Sequence, residues 1–167
     1  MFNILILRYI NYWNGVCFYV AKVIIMENQF KFFLVDDDVF FTNLYDQQIK
    51  NLNYSDVAYY NNGSDCISNL HKNPDIIFLD HNMDDVTGFE VLKKVKRFNP
   101  NIYVVMISAQ EDMRIAINAL KYGAFDYIVK DNKVCESIEL VIQKIIMIKN
   151  ELKRSNPSML QKVLSIF

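Results

Sequence analysis

Asp36, Asp37 and Asp38 stand side by side directly behind the apolar run Phe32-Phe33-Leu34-Val35. Two unit charges about 4 Å apart repel by roughly 4 kcal/mol at the effective dielectric of a protein surface, so carboxylates gathered at one point need a cation or shared protons. The triplet points to a bound metal, against the plainer alternative of a solvated turn after a strand. What the rest of the chain brings to the same place decides between them.

Apolar runs rich in β-branched and aromatic residues recur at KFFLV, DVAYY, DIIFLD, IYVVMIS and DYIVK, and each is followed by a segment with helical spacing. The helices are expected at Val39 to Asn53, Ser64 to His71, Thr87 to Phe98, Asp112 to Tyr122 and Val134 to about Arg154, with Asn73-Pro74, Asn99-Pro100 and Gly123 as stops. Strands that read as continuous apolar runs are buried on both faces, and right-handed crossovers place helices on both sides. Five such units predict an α/β fold, a doubly wound parallel sheet.

In sheets of this kind ligands collect at the carboxyl ends of the strands. The first strand runs into Asp36, Asp37 and Asp38, the third ends in Asp80, the fourth in Ser108 and the fifth in Lys130. Gathered at one rim, these groups suit phosphoryl transfer. Asp36, Asp37 and Asp80 offer hard oxygens for Mg²⁺, which usually keeps several waters and leaves room for phosphate. Lys130 and Ser108 offer a cation and a hydroxyl for the remaining phosphoryl oxygens.

With these residues in place, the chain from about Phe30 to Arg154 resembles the response regulator receiver domains of two-component signalling. The resemblance rests on FLVDDD, on DIIFLDHNMDDVTG with a glycine eight residues after Asp80, on VVMISAQ, and on GAFDYIVK with an aromatic three residues before the lysine. It implies a flavodoxin-like sheet of five strands in the order 2-1-3-4-5 with five helices. It also implies that Asp80 accepts a phosphoryl group from the phosphohistidine of a histidine kinase or phosphotransfer protein. Asp36, Asp37, Asp80 and the backbone carbonyl of Asn82 would hold Mg²⁺, Lys130 would pair with the phosphoryl group, and Ser108 with Tyr127 would form the switch. Such a domain is a signalling phospho-acceptor rather than an enzyme, with only self-directed phosphotransfer and autodephosphorylation expected.

Some positions depart from the family pattern. Asp84 occupies a position where proline is usual, and Asp131 follows Lys130 where many members carry a cis proline. A cis bond to a residue other than proline costs about 3–4 kcal/mol, so a trans bond and a differently shaped loop are expected. Asn82 and Gln110, two places beyond the acceptor and the switch hydroxyl, are polar and should tune access of water. His81, beside the acceptor, should point away from it because side chains alternate along a strand.

The 167 residues suffice for one domain with a real core, and 18 basic against 19 acidic residues leave no electrostatic case for nucleic acid. Cys17, Cys66 and Cys135 lie far apart without metal-ligand spacing, which fits a reducing, cytoplasmic setting. The start has twenty apolar residues in twenty-six, but its longest uncharged run, Tyr9 to Ala21, is only thirteen residues. A membrane-spanning helix needs about 20, so no span is expected. Residues 1–25 read as an added amphipathic segment or, preferably, as a start placed too early with Met26 the natural one. Residues 26–154 form the expected receiver domain, and 155–167 a tail or short helix led by Asn156 and Pro157.

No recognition helix or basic stripe is evident, so the expected output is contact with a protein effector. Ile138, Val141, Ile142, Ile145, Ile148 and Leu152 make a core stripe on the fifth helix, while Leu140, Ile146 and Met147 widen it. A partner or homodimer surface on the fourth and fifth helices follows. Two other readings are kept. In a phosphatase of the haloacid dehalogenase class Asp36 would be the nucleophile and Asp38 the acid/base. A pseudo-receiver would bind partners without phosphorylation.

Overall fold

A computed structural model describes residues 29–109 and 113–155, so the readings placed on residues 1–25, Gln110, Asp112 and the tail from Asn156 onward lie outside the described residues. Five strands, β1 (Phe32–Val35), β2 (Val57–Tyr60), β3 (Ile76–Asp80), β4 (Tyr103–Ser108) and β5 (Asp126–Val129), form one sheet in the order β2-β1-β3-β4-β5. Every pairing is parallel. The expected fold class and strand order are therefore observed.

Between the strands run α1 (Val39–Asn51), α2 (Gly63–Ser68), α3 (Gly88–Phe98), α4 (Met113–Lys121) and α5 (Val134–Ser155). Alternation along the strands splits the core into two layers. Phe32, Leu34, Ile76, Phe78, Val105, Ile107 and Ile128 face Tyr45 and Ile49 of α1 and Ile138, Ile142 and Ile145 of α5. Phe33, Val35, Ile77, Leu79, Val104 and Met106 face Cys66 of α2, Val91, Leu92 and Val95 of α3, and Ala119 of α4. Burial on both faces is why the central strands read as unbroken apolar runs.

The helix boundaries shift by a few residues, each for a local reason. α1 stops at Asn51, because Asn53 adopts φ 67° and leaves the helix. The second helix begins at Gly63 under an Asn62 cap, ends at Ser68, and continues as a 3₁₀ turn over Leu70–Lys72 that Asn73 closes at φ 53°. Thr87 caps α3 rather than lying in it, in a reciprocal capping box with Glu90. Gly88, the first residue of α3, sits where the helix meets the acceptor strand. A Cβ there would strike the Asp80 carbonyl oxygen and come within 2.9 Å of the His81 Cα, so this approach requires glycine.

Candidate functional site

The carboxyl ends of β1, β3 and β5 bring Asp36, Asp80 and Lys130 together. Side-chain parity explains the convergence: Phe78 and Asp80 share the α1/α5 face of the sheet, and so do Leu34 and Asp36, which follow the same alternation. Lys130 follows β5 immediately, its backbone N–H donating to the Ser108 carbonyl at 2.8 Å. Its ammonium lies 2.6 Å from Asp80 Oδ1 and 2.8 Å from Asp36 Oδ2. Asp36 and Asp80 are only 1% and 4% exposed, so this is a buried ion triad and not a surface pair.

Backbone donors hold the carboxylates in place. Asp36 Oδ1 accepts from the Asp38 N–H at 3.0 Å, and Asp80 Oδ2 accepts from the Asn82 N–H at 2.6 Å. Asp36 Oδ2 has no aligned hydrogen-bond donor, so its partnership with the Lys130 ammonium is an ion pair set by distance. Burial raises the Asp36 pKa despite the attraction of Lys130. Burial alone would lower the Lys130 pKa, but the close carboxylates of Asp36 and Asp80 outweigh it and hold the ammonium charged. Asp37 is exposed, yet one oxygen from each of Asp36, Asp37 and Asp80 falls within 4.8 Å of the others. Three hard oxygens at that spacing, one facing solvent, fit a magnesium ion that keeps part of its water shell.

The run of three aspartates thus divides into three tasks. Asp36 is buried against Lys130, Asp37 faces solvent, and Asp38 caps α1 by accepting from the Phe40 N–H at 2.8 Å. The capping role of Asp38 went unread in the sequence, although an aspartate directly before a helical pattern is the signal for it.

Ser108 and Tyr127 fall on the other parity. Ser108 ends β4 fully buried, two residues beyond Met106 of the α3/α4 layer, and Tyr127 packs against that layer from β5. Met106 pairs with Tyr127 and Ser108 with Val129, so the serine and the tyrosine are diagonal neighbours on one face. Asn82 is exposed and joins the site through its backbone. His81 packs edge-on against Phe89 with ring centroids 4.9 Å apart, on the side opposite the Asp80 carboxylate. No described peptide bond is cis, so Lys130-Asp131 is trans, and Asp131 instead turns the chain into α5 by accepting from the Lys133 N–H at 2.8 Å.

Two contributors were missed by sequence reasoning. Phe41, in the first turn of α1, presents its ring to the Lys130 ammonium at 4.3 Å from the centroid. The Asp85 carboxylate reaches from the loop after β3 to the start of α2, accepting from the Gly63 N–H at 3.1 Å and the Ser64 N–H at 2.9 Å. Phe41 looked like any apolar helix residue, and nothing in the sequence ties Asp85 to residues more than twenty positions earlier.

A five-stranded parallel sheet in this order, with an aspartate pair, a buried strand-end aspartate and a lysine at one rim, defines a class of receiver-like signalling domain, and sequence comparison identifies the family. A family model described as the response regulator receiver domain matches residues 32–142. The chain belongs to this family, the receiver domains of two-component signalling. The chemotaxis protein CheY of Listeria monocytogenes is 31% identical over 113 residues, covering 65% of this chain and 95% of CheY. The transcriptional regulatory protein ZraR of Klebsiella oxytoca is 34% identical over 98 residues, covering 58% of this chain but only 22% of ZraR. The chain therefore spans about a fifth of such multidomain relatives. The CheY-like receiver domain protein from Methanospirillum hungatei shares the fold at a TM-score of 0.65 and 20% identity, covering 74% of this chain and 99% of that one. No helix among the described residues is long and apolar enough to cross a membrane.

Proposed function

We propose that residues 26–154 act as a receiver domain that accepts a phosphoryl group on Asp80 from a histidine kinase or histidine phosphotransfer protein and signals through protein contacts. The observation that carries the reading is the Asp80 carboxylate itself, buried at a strand end, 2.6 Å from a lysine and within 4.8 Å of two further aspartates. In the transfer, an Asp80 oxygen forms a bond to phosphorus as the phosphorus–nitrogen bond to the donor imidazole breaks, and the imidazole leaves with the bonding pair. Such transfer has a loose transition state, so positioning and charge neutralisation carry most of the catalysis.

Asp36, Asp37, Asp80 and the Asn82 carbonyl would hold Mg²⁺, which supplies positive charge opposite the phosphoryl oxygens. Lys130 keeps its proton, pairs with the phosphoryl group and gives up part of its hold on Asp36. Ser108 turns toward the new acceptor oxygens, and Tyr127 takes the space behind it on the α3/α4 face. That movement reaches α4, β5 and α5, where Met113, Ile117 and Leu120 of α4 and Leu140, Met147 and Leu152 of α5 are exposed. A protein effector or a second copy of the chain would bind there, and the setting is cytoplasmic. Catalysis is confined to the domain's own phosphorylation and dephosphorylation.

Intact mass after incubation with Mg²⁺ and acetyl phosphate tests this reading. A phosphoryl adduct that disappears in Asp80→Asn is expected. An adduct that survives Asp80→Asn but vanishes in Asp36→Asn would move the nucleophile to the first strand, and no adduct from any donor would leave a binding module.

A further inference from the structure

We infer that Phe41 is a positioning residue for Lys130, holding the ammonium at the rim by a cation–π contact. The inference rests on the proposed phosphoryl transfer only for its rate readout. Among the described residues Lys130 has three close partners, and two are carboxylates that any metal would also draw on. The third is the Phe41 ring, 4.3 Å from the ammonium. An ammonium over an aromatic face at this distance is attracted by the ring quadrupole, the more so when it is desolvated. Lys130 meets that condition, its side chain being 8% exposed.

The ring is itself fixed. Asp38 starts α1, which places Phe41 in the first turn, and Phe41 lies between Phe40, edge-on at 5.4 Å, and Tyr45, stacked at 5.9 Å one helical turn on. Tyr45 is 2% exposed and anchors this column in the core. The ammonium is thus seated on an aromatic column anchored in the core by Tyr45 and does not depend on Asp36 and Asp80 alone. When Lys130 shifts its bonding from Asp36 to a phosphoryl oxygen, the column keeps it at the rim.

Two consequences run in opposite directions. With the ring weakened, Lys130 is placed less well for the phosphoryl group, so transfer slows. The same ammonium also competes less firmly for Asp36 and Asp80, so Mg²⁺ binds more tightly. A site that had merely loosened would lose both rate and metal affinity.

The test replaces Phe41 in the full chain with mono-, di- and trifluorophenylalanine, which keep the ring's shape while draining its quadrupole, and adds Phe41→Leu and Phe41→Trp. Phosphorylation by acetyl phosphate at saturating Mg²⁺ is followed by intact mass, and Mg²⁺ affinity by calorimetry without phosphodonor. The rate should fall stepwise along the fluorine series to roughly a two- to tenfold loss in Phe41→Leu, Phe41→Trp should keep the native rate, and the Mg²⁺ Kd should fall along the same series. Rates and affinities indifferent to fluorination, or falling together, would overturn the inference. A native chain that takes no phosphoryl group defeats the receiver reading, while the Mg²⁺ titration still decides the role of Phe41.

Discussion

Replacing Lys130 with methionine keeps a long side chain but removes the charge that binds Asp36 to Asp80. One oxygen of each carboxylate lies within 4.8 Å of the other, so at an effective dielectric of roughly 20 their mutual repulsion is at least about 3.5 kcal/mol. Breaking a buried ion pair by removing one partner generally costs about 3–5 kcal/mol, which agrees. A domain of this size has about 5–15 kcal/mol in all, so Lys130→Met should lower the urea midpoint severely at pH 7 without divalent ions. The loss should depend on pH in a set direction. Burial already raises the Asp36 pKa in the native chain, and losing Lys130 raises it further. A carboxyl whose folded pKa exceeds its unfolded value is favoured by folding when protonated, so the defect is full above the folded pKa and shrinks as pH falls through it. Magnesium should substitute for the missing charge, and at 100 times its Kd a ligand returns about 2.7 kcal/mol. Urea unfolding at pH 7 and pH 5, with and without Mg²⁺, reads all three effects. A variant as stable as the native chain at pH 7 in chelator, or one whose deficit ignores both pH and Mg²⁺, would refute the ion-triad reasoning.

Gly88→Ala should destabilise the domain by about 1–3 kcal/mol, the usual cost of overpacking, and slow phosphoryl uptake, because the new Cβ meets the Asp80 carbonyl and the His81 backbone; urea unfolding and the acetyl phosphate assay check both. Asp85→Asn should flatten the acid side of the stability profile. Partial desolvation pushes the exposed Asp85 carboxyl up, but bonds from the Ser64 N–H and hydroxyl and from the Gly63 and Val86 N–H groups pull it well below the usual carboxylate range. Its stabilising contribution is therefore present above the unfolded value of about 3.9 and lost as pH falls through the folded one, and melting temperatures in acid should show that slope in the native chain and not in the variant.

The sheet and the charged rim were legible because both follow from simple periodicities. Phe32 to Val35 and Ile76 to Leu79 are apolar throughout because both faces of these strands are covered, and a polar residue closing such a run has to lie at the carboxyl rim. That logic found Asp36, Asp80, Ser108 and Lys130. It did not divide the labour among Asp36, Asp37 and Asp38, because three identical side chains in a row differ only in where the turn aims them. Phe41 escaped because its role depends on how close α1 comes to the end of β5, a tertiary distance with no local signature. Asp85 escaped because its partners are backbone N–H groups of Gly63 and Ser64, brought near by packing of α2 against α3. The helix ends moved where a cap or a left-handed asparagine outweighed hydrophobic spacing, as at Asn53, Asn73 and Thr87.

The two parities of the site set a limit on what the proposed switch can do unaided. Asp36, Asp80 and Lys130 belong to the α1/α5 face, while Ser108 and Tyr127 belong to the α3/α4 face. In the proposed switch, a change at Asp80 would reach Tyr127 across the sheet edge, through the buried serine that ends β4. A new bond from the Ser108 hydroxyl to a charged phosphoryl oxygen contributes about 1.5–3 kcal/mol, a shift of roughly 10- to 150-fold between two conformations. Driving a domain from 1:99 to 99:1 takes about 5.5 kcal/mol. On the proposed mechanism the serine alone would bias the equilibrium without completing it, and the remainder would come from Lys130 exchanging Asp36 for the phosphoryl group and from a partner that binds one conformation of the α4 and α5 surface. Exposed Met113, Ile117 and Leu120 offer apolar area for such a partner to cover, although area alone does not set the affinity. By linkage, such a partner would raise the equilibrium constant for phosphoryl transfer to Asp80 by the factor with which phosphorylation raises the partner's own affinity.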